Sequence, residues 1–167
     1  MDRIVSVRNY RDNDLDQCRG LWRELAKWHR KIYGDVSIGG EKPELFFDKH
    51  LAKVGASQIW VAVAEDRVVG FTGLEIENEE AKIEPVIVSE THKQKGIGRM
   101  LVEKAMHEAQ KKGVKFLSVM PVARNEEAIR FFYEMGFRNI GQVQLLMNFP
   151  NKKWRSGLEL YGLKFDL

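Results

Sequence analysis

The chain has 167 residues, 44% hydrophobic and 31% charged, the proportions of a globular protein with one substantial core. Its net charge of +3 is spread along the sequence, which reads as solubility rather than the concentrated basic face of a nucleic-acid binder. Cys18 is the single cysteine, no apolar run approaches the ~20 residues of a membrane span, and the opening residues lack the basic-then-apolar layout of a secretory signal. A cytoplasmic protein without membrane or nucleic-acid partners is therefore expected.

Residues 4–8 alternate and predict a short first strand. Asp12, Asn13 and Asp14 offer capping side chains before Leu15, Cys18, Trp22, Leu25 and Ile32, whose spacing predicts an amphipathic helix ending near Gly34. Pro43 suits the first turn of a second helix, with Phe47, Leu51 and Val54 on its buried face and Gly55 at its end. The period then changes. Residues 59–64, 68–77 and 81–88 read as three strands joined by tight turns at Asp66-Arg67 and Asn78-Glu79, hence as antiparallel neighbours.

Residues 96–112 carry Ile97, Leu101, Ala105 and Ala109 at i, i+4 spacing, with Lys111, Lys112 and Gly113 as a helix stop. A strand over 114–120 follows, then a short helix capped by Asn125 and ending at Gly136, then strands over 142–149 and 158–166. The sum is one α/β (α+β) domain over residues 1–167. Its central sheet is mixed, mostly antiparallel and seven-stranded, with about four flanking helices.

The chemistry points to residues 93–99. A strand there feeds a Gly-rich turn that opens a helix, so unpaired backbone N–H groups and the helix dipole converge on one anion site. Gly96 and Gly98 leave the backbone open to phosphate oxygens, and Lys93, Lys95 and Arg99 add charge. The G-x-x-x-x-G-K-[ST] loop is absent, and Leu101 stands where a dinucleotide fingerprint needs its third small residue. The ligand is some other phosphorylated molecule.

Lys93-Gln94-Lys95-Gly96-Ile97-Gly98 resembles the [Q/R]-x-x-G-x-[G/A] signature of the GNAT N-acetyltransferases, with Lys in place of the first Arg or Gln. The run from Asn125 to Phe137, which includes Ala128, Phe132, Tyr133 and Gly136, is similar to that family's N-x-x-A-x-x-(F/L)-Y-x-x-x-G-F block. The resemblance implies acetyl-CoA as co-substrate, no metal, and a coenzyme site made by Val86, Ile87, Val88, Lys93, Gln94, Lys95, Gly96, Ile97, Gly98, Arg99, Asn125, Ala128 and Phe132. It also gives a use to Pro85, which by itself reads as an edge or bulge residue. In the family, strands 4 and 5 splay there, and the freed backbone of Val86, Ile87 and Val88 pairs with the pantetheine arm in the manner of an added strand.

The implied reaction is transfer of an acetyl group to a primary amine by direct attack in a ternary complex. The alternative is a catalytically silent acyl-CoA sensor of the same fold. An amine with a pKa near ~10.4 must lose a proton before attack, and the leaving thiolate then gains one. By itself Tyr133 reads first as a core residue beside Phe131, Phe132 and Phe137; its match to the family's tyrosine reverses that and makes it the expected general acid. Asn125 is read both as a coenzyme contact and as a plain helix cap. Glu84 is the expected base, with Glu75 as competitor, or both belong to a solvated sheet face; His29 and His50 lie near apolar stripes and are weaker candidates. Glu75, Glu77, Glu79, Glu80 and Glu84 together point to a cationic acceptor, unless they are only a solvated turn. Pairing of C-terminal strands in the resembling family leaves a homodimer open.

Overall fold

Val5–Asn9 (β1) pairs antiparallel with Ile59–Ala64 (β2), which pairs with Arg67–Glu77 (β3), which pairs with Glu80–Val88 (β4). Phe116–Ser118 (β5) joins β4 in parallel and completes a five-stranded sheet in the order β1-β2-β3-β4-β5. These strands come from a computed structural model that describes residues 5–147, 149 and 154–167. The chain divides into two units, Met1–Met120 and Pro121–Leu167.

In the first unit, Leu15–Tyr33 (α1) and Leu45–Val54 (α2) share one sheet face with the cluster of Tyr10, Cys18, Leu21, Phe47, Ile59, Val61, Val68, Phe71 and Ile87. Alternate residues Ala62, Ala64 and Val69 turn to the other face, where Ile97 and Leu101 of Ile97–Lys111 (α3) cover them. This is the period-2 partition expected of a sheet with helices on both faces. Phe47 and Phe71 meet edge to face with centroids 5.2 Å apart, within the preferred range for aromatic pairs. α1 ends at Gly34, whose φ of 62° is the left-handed cap that halts a helix. Its start is tied to β1 by Arg8, whose Nη1 and Nη2 donate to the two oxygens of buried Asp14 at 2.7 and 2.9 Å.

Two features shape the middle of the sheet. Glu77 opposes Glu80 and Glu75 opposes Lys82, as a two-residue turn dictates, but Thr72 then opposes Val86. The extra residue sits in β4 at Glu84-Pro85 as a β-bulge. Pairing of β4 with β5 is confined to Glu80, Ala81 and Lys82 against Phe116, Leu117 and Ser118. From Ile83 onward β4 has no ladder with β5, which ends at Ser118, so pairing stops just before the expected splay at Pro85–Val88.

The second unit holds Glu126–Glu134 (α4), capped by Asn125 Oδ1 accepting from Ala128 N–H at 3.2 Å. It also holds Ser156–Leu160 (β6) paired antiparallel with Leu163–Asp166 (β7) as a separate two-stranded sheet. The expected single strand over 158–166 is thus a hairpin. Tyr161 and Gly162, at φ 53° and 76°, form its two-residue loop, the left-handed pair that a type I′ turn requires. Residues 142–147 of the expected strand over 142–149 form no strand, and 148 lies outside the described residues. The seven-stranded sheet is therefore a sheet of five and a sheet of two. No helix among the described residues is long and apolar enough to cross a membrane.

Candidate coenzyme and acceptor site

The loop after β4 runs through a short 3-10 turn at Glu90–His92 and enters α3 at Gly96, whose φ of 77° is left-handed. No side chain caps this helix, and its first ladder bond runs from Met100 N–H to Gly96 C=O at 3.1 Å. The amides of Ile97, Gly98 and Arg99 precede that bond, so an anion is their natural acceptor. Gln94 is also left-handed, at φ 60°, and helps turn the chain back on itself.

The loop's cations are largely engaged within the loop. Lys93 Nζ lies 2.8 Å from Glu90 Oε2 and 4.4 Å from the Trp28 ring centroid, an ion pair with a cation–π contact. Lys95 Nζ donates to the Thr91 carbonyl at 2.9 Å, and Arg99 sits 3.8 Å from Glu103. α1 further anchors the loop through Glu24 Oε2, which accepts from Glu90 N–H at 3.1 Å. The amides of residues 97–99, rather than these side chains, are the donors that the start of α3 leaves outside its own ladder. The Trp28 and Glu24 anchors were not anticipated: i, i+4 spacing on α1 puts them on one stripe, but nothing local says which loop that stripe meets.

Val86, Ile87 and Val88 pair with β3 on one side, and their other backbone edge faces the splay. Ile87 is buried in the core, while Val86 and Val88 are half-buried. Gly70 allows this packing, because a Cβ there would lie 2.7 Å from the Ile87 carbonyl oxygen.

Glu84 lies on the bulge and forms an ion pair with Lys82. Lys82 also reaches Glu75 at 3.6 Å, and Glu75 pairs with Lys53 of α2 at 2.7 Å. These four make one chain of alternating charge on the α2 face. The hydrogen bond from Lys53, with Lys82 nearby, outweighs burial and holds the Glu75 carboxyl below its usual range. Glu79 pairs with Lys115 at 2.6 Å. His50 is buried rather than surface-packed, and burial lowers its pKa; burial likewise lowers that of His29.

In the second unit, Asn125 and Ala128 form the cap of α4, and Phe132 packs against Phe131 and Phe137 at 5.1 and 5.8 Å. Tyr133 is the exposed aromatic of the helix, with the Arg138 guanidinium 5.0 Å from its ring centroid. It lines a surface hollow with Glu126, Ile129, Arg130 and Glu134. Asn125, Ala128, Phe132 and Tyr133 thus gather in one unit, and the loop, Val86–Val88 and Glu84 gather in the other.

The sequence model of the Acetyltransferase (GNAT) family matches residues 22–137. The chain belongs to that family. An uncharacterized N-acetyltransferase of Methanocaldococcus jannaschii is 27% identical over 142 residues, which are 81% of this chain and 61% of the relative; the chain thus spans less than two thirds of that protein. The fold is shared with a GNAT-family acetyltransferase of Staphylococcus aureus Mu50 at a TM-score of 0.70 and 16% identity, covering 89% of this chain and 94% of the other. It is shared also with the PaiA N-acetyltransferase of Thermoplasma acidophilum, solved with coenzyme A, at a TM-score of 0.65 and 22% identity, covering 81% and 90%.

Proposed function

We propose that this GNAT chain is an acetyl-CoA-dependent N-acetyltransferase that acts on a primary amine by direct attack in a ternary complex. The observation that carries the reading is the pairing of a free β4 edge beyond Ile83 with the uncapped, Gly-led start of α3. An extended amide-containing arm ending in a pyrophosphate fits both parts: its amides extend the sheet at Val86–Val88, and its phosphates take the amides of residues 97–99.

Bound acetyl-CoA supplies an activated acetyl thioester. The chain's own groups do the rest. The backbone N–H groups along the splayed edge polarise the thioester carbonyl. Glu84, on the acceptor side of the bulge, accepts the ammonium proton directly or through a water, after yielding its contact with Lys82. The nitrogen attacks, the C–S bond breaks, Tyr133 gives its proton to the thiolate, and the second proton, shed by the new amide nitrogen, restores the neutral tyrosine. Asn125, Ala128 and Phe132 set the pitch of α4 and hence the position of Tyr133. Glu75, Glu79 and Glu84 already bind Lys53, Lys115 and Lys82, so a cationic acceptor is favoured only if it displaces these lysines. Two copies joined by their C-terminal strands remain part of the proposal, read out by sedimentation.

The test is a thermal-shift measurement with coenzyme A and acetyl-CoA, followed by thiol release across cationic, neutral and anionic amines. Stabilisation by the coenzyme with thiol release on at least one amine class is expected. Stabilisation without release on any amine would make the chain a coenzyme-binding module, and no stabilisation would remove the reading altogether.

A further inference from the structure

His50 is more than nine-tenths buried, yet its Nε2 has no hydrogen-bond partner among the described residues. A buried polar atom without a partner carries a substantial desolvation cost and calls for an explanation. The ring is held between α1 and the sheet, with the Trp22 ring centroid 5.8 Å away. Nε2 is directed at the β3–β4 bulge: a Cβ on Gly73 would collide with Nε2 and would lie 2.8 Å from the Glu84 carbonyl oxygen. The orphan nitrogen and the backbone of the expected base therefore border one space.

The charged groups around the ring come from three elements. Lys53 lies on α2 itself, Glu75 on β3, and Glu84 and Lys82 on β4, all within electrostatic reach; α1 contributes the uncharged Trp22. Two anions face two cations, so the cluster is balanced while His50 is neutral. A proton on His50 adds a third cation beside Glu84, and a nearby positive charge lowers a carboxylate's affinity for a proton.

We propose that His50 is a positioning residue for acetyl transfer that acts through Glu84: the neutral imidazole leaves the carboxylate able to accept the acceptor's proton, and the protonated imidazole suppresses it. This rests on the transfer reaction proposed above. Burial dominates and pushes His50 below its ordinary value of 6.5, while Glu84 and Glu75 pull it back up. The suppressed form accordingly appears on the acid side of that value.

Two measurements test this. NMR titration of the His50 ring in the wild type and in Glu84→Gln reads the coupling without any activity. The midpoint should fall by about half a pH unit when the carboxylate is lost, the size of one partly screened charge at several ångströms. An unchanged midpoint overturns the proposal. The pH profile of kcat/KM in His50→Gln should lose the acid limb ascribed to the imidazole, with coenzyme affinity retained. A uniformly slower enzyme with the wild-type profile would show a structural role only and overturn it as well. A wild-type chain that acetylates nothing ends the proposed reaction, and His50's part in it, even if the NMR coupling is present; the two failures are thus told apart.

Discussion

Gly73 and His50 occupy complementary halves of one space, the imidazole filling the volume that any side chain at position 73 would need. The contact fixes the seat of α2 on the sheet at the point where β4 bulges. Because the obstacle includes the Glu84 carbonyl as well as a ring that is itself buried, neither neighbour can swing aside. Gly73→Ala should therefore destabilise by about 1–3 kcal/mol, the usual cost of overpacking a filled core. A urea titration should show a lower midpoint with an unchanged slope; a variant as stable as the wild type would mean that α2 shifts freely.

Asp14 gives a second stability prediction, with a definite direction in pH. Burial alone would raise its pKa, but the hydrogen bonds from Arg8 and from the Arg11 N–H win and lower it. A carboxylate with a depressed folded pKa contributes stability that is present above its unfolded value of ~3.9 and lost as pH falls through the folded one. Asp14→Asn should cost about 1–3 kcal/mol at pH 7, because it strips the partner from a half-buried guanidinium. The gap between variant and wild type should close as the pH is taken below that carboxylate range, and a gap that stays constant would discount the ion pair.

Cys18 is fully buried, and desolvation, followed by the Asp14 charge, pushes its thiol up to about 12. The reactive thiolate is therefore scarce as well as inaccessible. Labelling by an aromatic disulfide reagent should be negligible in the native protein and should track global unfolding in denaturant. Rapid stoichiometric labelling without denaturant would show that α1 opens locally.

Much of the site was legible from local pattern. The two-residue turn at 78–79 sets Glu75 opposite Lys82, and Lys82 and Glu84 alternate onto one face, so the charge chain follows from register arithmetic alone. Pro85 marked the bulge, because a proline cannot sit in an unbroken central ladder. The Tyr161-Gly162 reversal was hidden because Leu158, Leu160, Leu163 and Phe165 sustain an apolar pattern across it, and the glycine alone does not announce a turn. The burial of His50 was hidden for a different reason. It depends on Gly73 and Trp22, residues distant in sequence that only the packing of α1 and α2 on β3 brings together.

Tyr133→Phe keeps the ring beneath Arg138 and removes only the hydroxyl. If that hydroxyl protonates the thiolate, kcat should fall by about a hundredfold or more, the range ascribed to general acid–base catalysis, while coenzyme affinity stays unchanged. Steady-state kinetics with the best amine found in the acceptor screen would check this. Unchanged turnover would remove Tyr133 as the acid and leave the thiolate to take its proton from water.

Gly98→Glu separates folding from binding. Position 98 is the second residue of α3, where an acidic side chain interacts favourably with the helix dipole, so the helix itself should tolerate or even welcome the change. The same carboxylate, however, places a negative charge where the amides of residues 97–99 would receive a pyrophosphate, and it satisfies those donors internally. The expected outcome is a melting temperature close to that of the wild type, with the stabilisation by coenzyme A abolished. Gly98→Ala, which adds bulk without charge, should weaken binding much less. If the glutamate variant still bound coenzyme A as the wild type does, the start of α3 would not be the phosphate cradle, and the free β4 edge would have to anchor the ligand on its own.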